Sequence, residues 1–241
     1  MSESIPPAAA VQISRFLAVA DQILPEVVEA VWIEGSIALG DFRRKSDVDL
    51  FVVTTRPTSE SERRSLRISG RPPLQVAFGT WQEVATLGSC GLGAVTAVTL
   101  HRHGIAVRGL HPSTVVHDVD RATLAAAMRG NLEAYWVPWL ERARRGLIDR
   151  VKTLHPWMIE WGVAGVPRQY ITIIEGRIVS KTVAMQHVRE RFDRPWHRIL
   201  DEALRLRTGG AGRGYGSPLA RRRDMLAFLE HAIERTRAVG R

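Results

Sequence analysis

The chain has 241 residues, 45% of them hydrophobic and 24% charged, which suits a globular protein with apolar material for two modest cores. No apolar run approaches the ~20 residues of a membrane span, and MSESIPPAAA lacks the basic-then-apolar order of a secretory leader, so a cytoplasmic protein without membrane association is expected. A formal net charge of +9 points to anionic partners such as nucleotides, although arginines spread over helix surfaces also serve solubility.

In chain order, Val11, Ile13, Phe16, Leu17, Ala20, Ile23 and Leu24 recur at helical spacing, and Pro25 interrupts before VVEAVWIEGS turns strand-like. Residues 48–54 (VDLFVVT) and 74–78 (LQVAF) are strand-length runs separated by a charged, Pro- and Ser-bearing segment. Cys90, the single cysteine, excludes an internal disulfide and reads as a small packing residue. Residues 94–109 read as a helix followed by a short strand, completing a small mixed sheet with flanking helices. From Asp118 onward the pattern is helical, so an α+β domain over 1–118 and an all-α bundle over 119–241 are expected.

Five of the seven tryptophans, Trp136, Trp139, Trp157, Trp161 and Trp196, fall in this second part. Trp157 and Trp161 are four apart and share one helix face, where core anchoring is the expected role. TGGAGRGYGSP (208–218) reads as a flexible loop. The basic run Arg221 to Arg223 opens an amphipathic stretch and reads as a solvated helix face rather than a nucleic-acid patch.

The chemistry concentrates in GSIALGDFRRKSDVDLFVV, residues 35–53. Side chains alternate along a strand, so Asp47 and Asp49 share one face while Val48 and Leu50 share the other. Two like charges held close in a partly dry site call for a cation, and paired carboxylates suit the hard ion Mg²⁺. Gly35 and Ser36 form a turn whose backbone N–H groups and hydroxyl can approach a phosphate without an intervening Cβ. A phosphate-binding turn followed by a metal-binding strand is the arrangement for a metal-bound nucleoside triphosphate.

This segment resembles the signature of the polymerase-β-type nucleotidyltransferase superfamily. RQYITIIEGRIVSKTVAMQHVRERFDRPWHRILDEALRLR and NLEAYWVPWLERAR resemble the helical half of streptomycin/spectinomycin adenylyltransferases. The resemblance implies an ATP- and Mg²⁺-dependent enzyme that moves AMP onto a hydroxyl of a small molecule such as an aminoglycoside-like antibiotic. It also implies that Ser36 contacts phosphate, that Asp47 and Asp49 hold Mg²⁺, and that Arg168 and Lys181 are the cations reaching the triphosphate.

One departure stands out. The family's third carboxylate, from a neighbouring strand, falls at Gln75, whose amide neither accepts a proton at neutral pH nor replaces an anionic metal ligand well. Glu83, Glu34 and Glu160 are the candidates to stand in. A second departure is that polycationic acceptors favour acidic walls, whereas this chain is basic and only Glu160 lies beside Trp157 and Trp161. His101 and His103 lack a third zinc ligand and read as surface or capping residues. Two alternatives stay open: a nucleotide-binding protein without turnover, supported by Gln75, and a nucleic-acid-modifying transferase, supported by the charge.

Overall fold

A computed structural model of the chain describes residues 5–66, 72–88, 93–212 and 214–239; Cys90 lies outside them. Two compact units divide the chain, Met1–Val119 and Asp120–Arg241.

In the first unit, α1 (Pro7–Ile23) starts with proline in its first turn, where the missing N–H costs nothing. Ala9, Ile13, Phe16 and Ala20 form its buried stripe. A turn with Glu26 at φ 61° leads into β1 (Val28–Glu34), the very short α2 (Gly35–Ala38) and β2 (Val48–Thr54). Then come α3 (Glu60–Ser65), β3 (Leu74–Thr80), α4 (Trp81–Ala85), α5 (Gly93–His103), β4 (Ile105–Arg108) and α6 (Pro112–Val115). The strands run β3-β2-β1-β4, antiparallel except for the parallel β2–β3 pair. The expected small mixed sheet with flanking helices is therefore present.

The two faces of the sheet differ in chemistry. Val31, Ile33, Val48, Leu50 and Val52 join the α1 stripe in one apolar core. On the other face Trp32 stacks on Phe51 at 5.9 Å and meets Trp81 edge-on at 6.0 Å, while the Trp32 indole N–H donates to the Leu110 carbonyl. Burial on both sides explains why β1 and β2 read as nearly continuous hydrophobic runs.

The second unit is helical: α7 (Arg121–Asn131), a π-helical turn (Leu132–Trp136), α8 (Val137–Arg145), α9 (Leu147–Lys152), α10 (Pro156–Glu175), α11 (Lys181–Arg191), a 3₁₀ turn (Arg194–Trp196), α12 (His197–Thr208) and α13 (Pro218–Ala238). The central α10 packs against α7, α11, α12 and α13. It ends at Gly176 in the left-handed conformation, φ 67°, which a glycine adopts without strain. Trp136 stacks on Trp161 at 4.6 Å, and Trp161 on Trp157 at 6.1 Å. A Cβ on Gly165 would fall 2.0 Å from the Trp136 ring, so the missing side chain is what admits the indole.

Two expectations need correction here. Residues 209–212 and 214–217 are irregular but not simply flexible: Tyr215 is buried, its hydroxyl donates to Asp224 at 2.9 Å, and the Arg198 guanidinium lies 4.1 Å from its ring. The run Arg221 to Arg223 is not one solvated face either. Arg221 donates to Glu202 and to the Leu154 carbonyl, Arg222 donates to Thr153 and the Ala143 carbonyl, and only Arg223 is mostly exposed.

Candidate active site of the first unit

The site grows from the ends of two antiparallel strands. Glu34, the last residue of β1, lies directly opposite Asp49 on β2, and Asp49 lies opposite Gln75 on β3. Directly opposed residues project to the same face, so the three form a row across the sheet. Asp47 immediately precedes β2.

The turn between β1 and β2 is tightly built. Gly35 has φ +66°, and a Cβ there would fall 2.0 Å from Asp49 Oδ2, so both backbone conformation and space require glycine. The Asp49 carboxylate thus leans over the end of β1. Past α2, Gly40 has φ 64°, the Asp41 N–H donates to the Ser36 carbonyl at 2.8 Å, and Ser46 Oγ accepts from the Arg43 N–H at 3.0 Å. Ser46 therefore closes the turn that delivers Asp47. Ser36 Oγ is buried with no hydrogen-bond partner, an arrangement that costs free energy unless a ligand satisfies it.

Electrostatics agree with the geometry. Burial, and next the neighbouring Asp49 charge, push the Glu34 carboxyl up to about 7. The donor set suits Mg²⁺, which one or two carboxylates hold beside substrate phosphates. Among the described residues no three His, Cys, Asp or Glu side chains form a ready-made metal cage.

The register settles which residues of the first unit the structure brings together. Gly35, Ser36, Asp49, Glu34 and Gln75 gather at one end of the sheet with Asp47 beside them. Glu83 is not among them, and its expected catalytic role is corrected. It follows Thr80, which pairs with Thr54 at the far end of the β2–β3 ladder, and Thr80 donates from its N–H and hydroxyl to the Glu83 carboxylate at 2.7 and 3.0 Å. That capping box, chiefly the Thr80 N–H bond, holds the Glu83 carboxyl below the usual range. His101 donates from Nδ1 to the Val116 carbonyl at 2.7 Å, a capping role.

In the second unit, Glu160 has a structural partner. It is buried in a 2.9 Å ion pair with Arg207, whose Nε donates to the Thr182 hydroxyl, so it ties α10 to α12 and α11. Arg168 Nε donates to the Val179 carbonyl at 3.1 Å, in the segment that leads to α11, and Ser180 caps that helix one residue before Lys181.

Residues 13–80, which contain the glycine-serine turn after β1 and the aspartate in β2, match the family model described as a nucleotidyltransferase domain. No curated protein sequence matches the chain. Among solved structures, the chain resembles spectinomycin adenyltransferase AAD(9) from Enterococcus faecialis, determined with ATP and spectinomycin, at a TM-score of 0.69 and 13% identity. The match covers 92% of this chain and 99% of that one. At that identity the likeness concerns the fold, which is the α+β domain with a helical C-terminal region expected from the sequence.

Proposed function

We propose that the protein transfers AMP from ATP to a hydroxyl of a small-molecule acceptor. The observation that carries this reading is the orphaned Ser36 hydroxyl beside Gly35 and Asp49, in a segment matching the nucleotidyltransferase domain. Asp47 and Asp49 would hold Mg²⁺, which when bound supplies charge neutralisation at the phosphates. Ser36 and the turn after Gly35 orient the phosphates for in-line displacement. The acceptor oxygen bonds to the α-phosphorus, the bond to the bridging oxygen breaks, pyrophosphate leaves, and the hydroxyl proton passes to a base or solvent. Arg168 and Lys181 are the proposed cations for the leaving pyrophosphate, where fixed positive charge stabilises the developing negative charge. An aminoglycoside-like acceptor is the proposal that the solved neighbour, crystallised with spectinomycin, supports.

A second reading is favoured by one observation: Gln75, opposite Asp49, is a neutral amide, which suits a nucleotide-binding protein without turnover. Calorimetric titration of ATP with Mg²⁺, on the natural chain and on Asp47→Ala/Asp49→Ala, tests binding. The heat is expected to vanish in the double variant, and equal heats would refute the assignment. Pyrophosphate release with spectinomycin or streptomycin as acceptor then separates enzyme from binder.

A further inference from the structure

We propose that Arg43 is a positioning residue of this site, a clamp that acts through Asp41 and Ser46 to hold the Ser36 turn and Asp47 at a fixed separation. The inference rests on the nucleotidyl-transfer reading above. It starts from a continuous set of hydrogen bonds that runs from one to the other. The Asp41 N–H donates to the Ser36 carbonyl at 2.8 Å, and the Asp41 carboxylate accepts from Arg43 Nε at 3.0 Å. The Arg43 N–H donates to Ser46 Oγ at 3.0 Å, and the Arg43 carbonyl accepts from the Ser46 N–H at 2.8 Å. Asp47 is the next residue.

Residues 39–47 are neither helix nor strand, so the path of the chain from α2 to β2 depends on these bonds and on what the turn buries. Phe42 packs against the apolar core of the first unit, which anchors the middle of the turn and leaves Asp41 and Arg43 on either side of the anchor. Asp41 is buried, whereas 43% of the Arg43 side chain is exposed. A buried carboxylate is costly to leave without a partner, and the planar guanidinium offers it a directed donor. Arg43 is thus bonded within the turn by its N–H, its carbonyl and its side chain together. An arginine that served only solubility would gain nothing from that arrangement. Holding a phosphate contact and a metal ligand to within a fraction of an ångström requires supporting residues of this kind.

The test is Mn²⁺ binding to the full chain with a non-hydrolysable ATP analogue, read by the paramagnetic resonance of free Mn²⁺. It uses the natural chain, Arg43→Ala, Arg43→Gln and Arg43→Lys, each held well below its own melting temperature so that every chain is folded. A glutamine amide nitrogen stands at the same point along the side chain as Arg43 Nε, so Arg43→Gln keeps a donor for Asp41 and removes the charge; Arg43→Lys keeps the charge and puts a methylene there. Arg43→Ala is expected to weaken Mn²⁺ by roughly tenfold or more, and Arg43→Gln to restore most of that loss. Unchanged Mn²⁺ affinity in Arg43→Ala overturns the assignment, makes the bonds merely structural and leaves nucleotidyl transfer standing. Equal loss in Arg43→Gln and Arg43→Ala also overturns it, and recovery in Arg43→Lys alone would make the charge itself the contact with the nucleotide. Failure of the natural chain to bind Mn²⁺ with nucleotide overturns both readings.

Discussion

At Gly35 the left-handed φ and the Asp49 carboxylate at 2.0 Å from a would-be Cβ act on the same atom. Gly35→Ala is therefore expected to cost about 2 kcal/mol of stability, measured by urea unfolding, and to weaken nucleotide binding by displacing Asp49. Ser36 predicts a split result. Its buried hydroxyl has no partner, so Ser36→Ala should leave the melting temperature unchanged or slightly raised, whereas removing a hydrogen bond to a charged phosphate should weaken ATP about tenfold. Calorimetry and thermal melts on the same variant check both halves; a lowered melting temperature with unchanged ATP affinity would mark Ser36 as structural. The Gly35 turn and the placing of Asp49 at the strand end beside it were legible in the sequence because period-two alternation and a glycine-serine turn are local signals. Glu83 was misread because its capping box with Thr80, also a local signal, was overlooked: Thr80 and Glu83 stand at the three-residue spacing of that motif.

Between elements, the ties that matter are buried charges. Glu202 on α12 is buried and receives hydrogen bonds from Arg205 and from Arg221 on α13. Burial alone would push its carboxyl up, but the bonds from Arg205 and then Arg221 outweigh it, and the group sits below the usual range. The folded-state value is thus lower than the unfolded one. Its contribution is complete above the unfolded carboxylate value of about 4.3 and is lost as pH falls through the folded value. Glu202→Gln should flatten that acid limb and cost about 3 kcal/mol at neutral pH by leaving Arg221 uncompensated, as urea melts from neutral to acidic pH would show. The helices themselves were readable from apolar periodicity. The pairing of Glu160 with Arg207, 47 residues apart, was not, because no local pattern records which distant cation a buried carboxylate meets.

For the molecule as a whole, the excess of 34 basic over 25 acidic residues predicts salt-sensitive attraction to polyphosphates. Raising ionic strength from about 0.1 to about 1 M shortens the screening length from ~10 to ~3 Å, and ATP affinity should fall in parallel. Many arginines are already engaged: Arg221 and Arg222 bond inward, and Arg189, Arg237 and Arg144 pair with Asp201, Glu133 and Glu230. RNA is therefore expected not to displace ATP at physiological salt, and competition in a filter-binding assay checks this. No helix among the described residues is long and apolar enough to cross a membrane.

The sequence by itself determined the strands, the helical second half and the turn-plus-aspartate signature, because backbone propensity, side-chain periodicity and glycine's freedom act over a few neighbouring residues. Only the tertiary structure decided that Glu34 faces Asp49, that Gln75 completes the row, that Glu83 lies at the far end and that Glu160 is spent on Arg207. Strand register and burial set those partnerships, and both are properties of residues far apart in the chain that the folded sheet and bundle bring together.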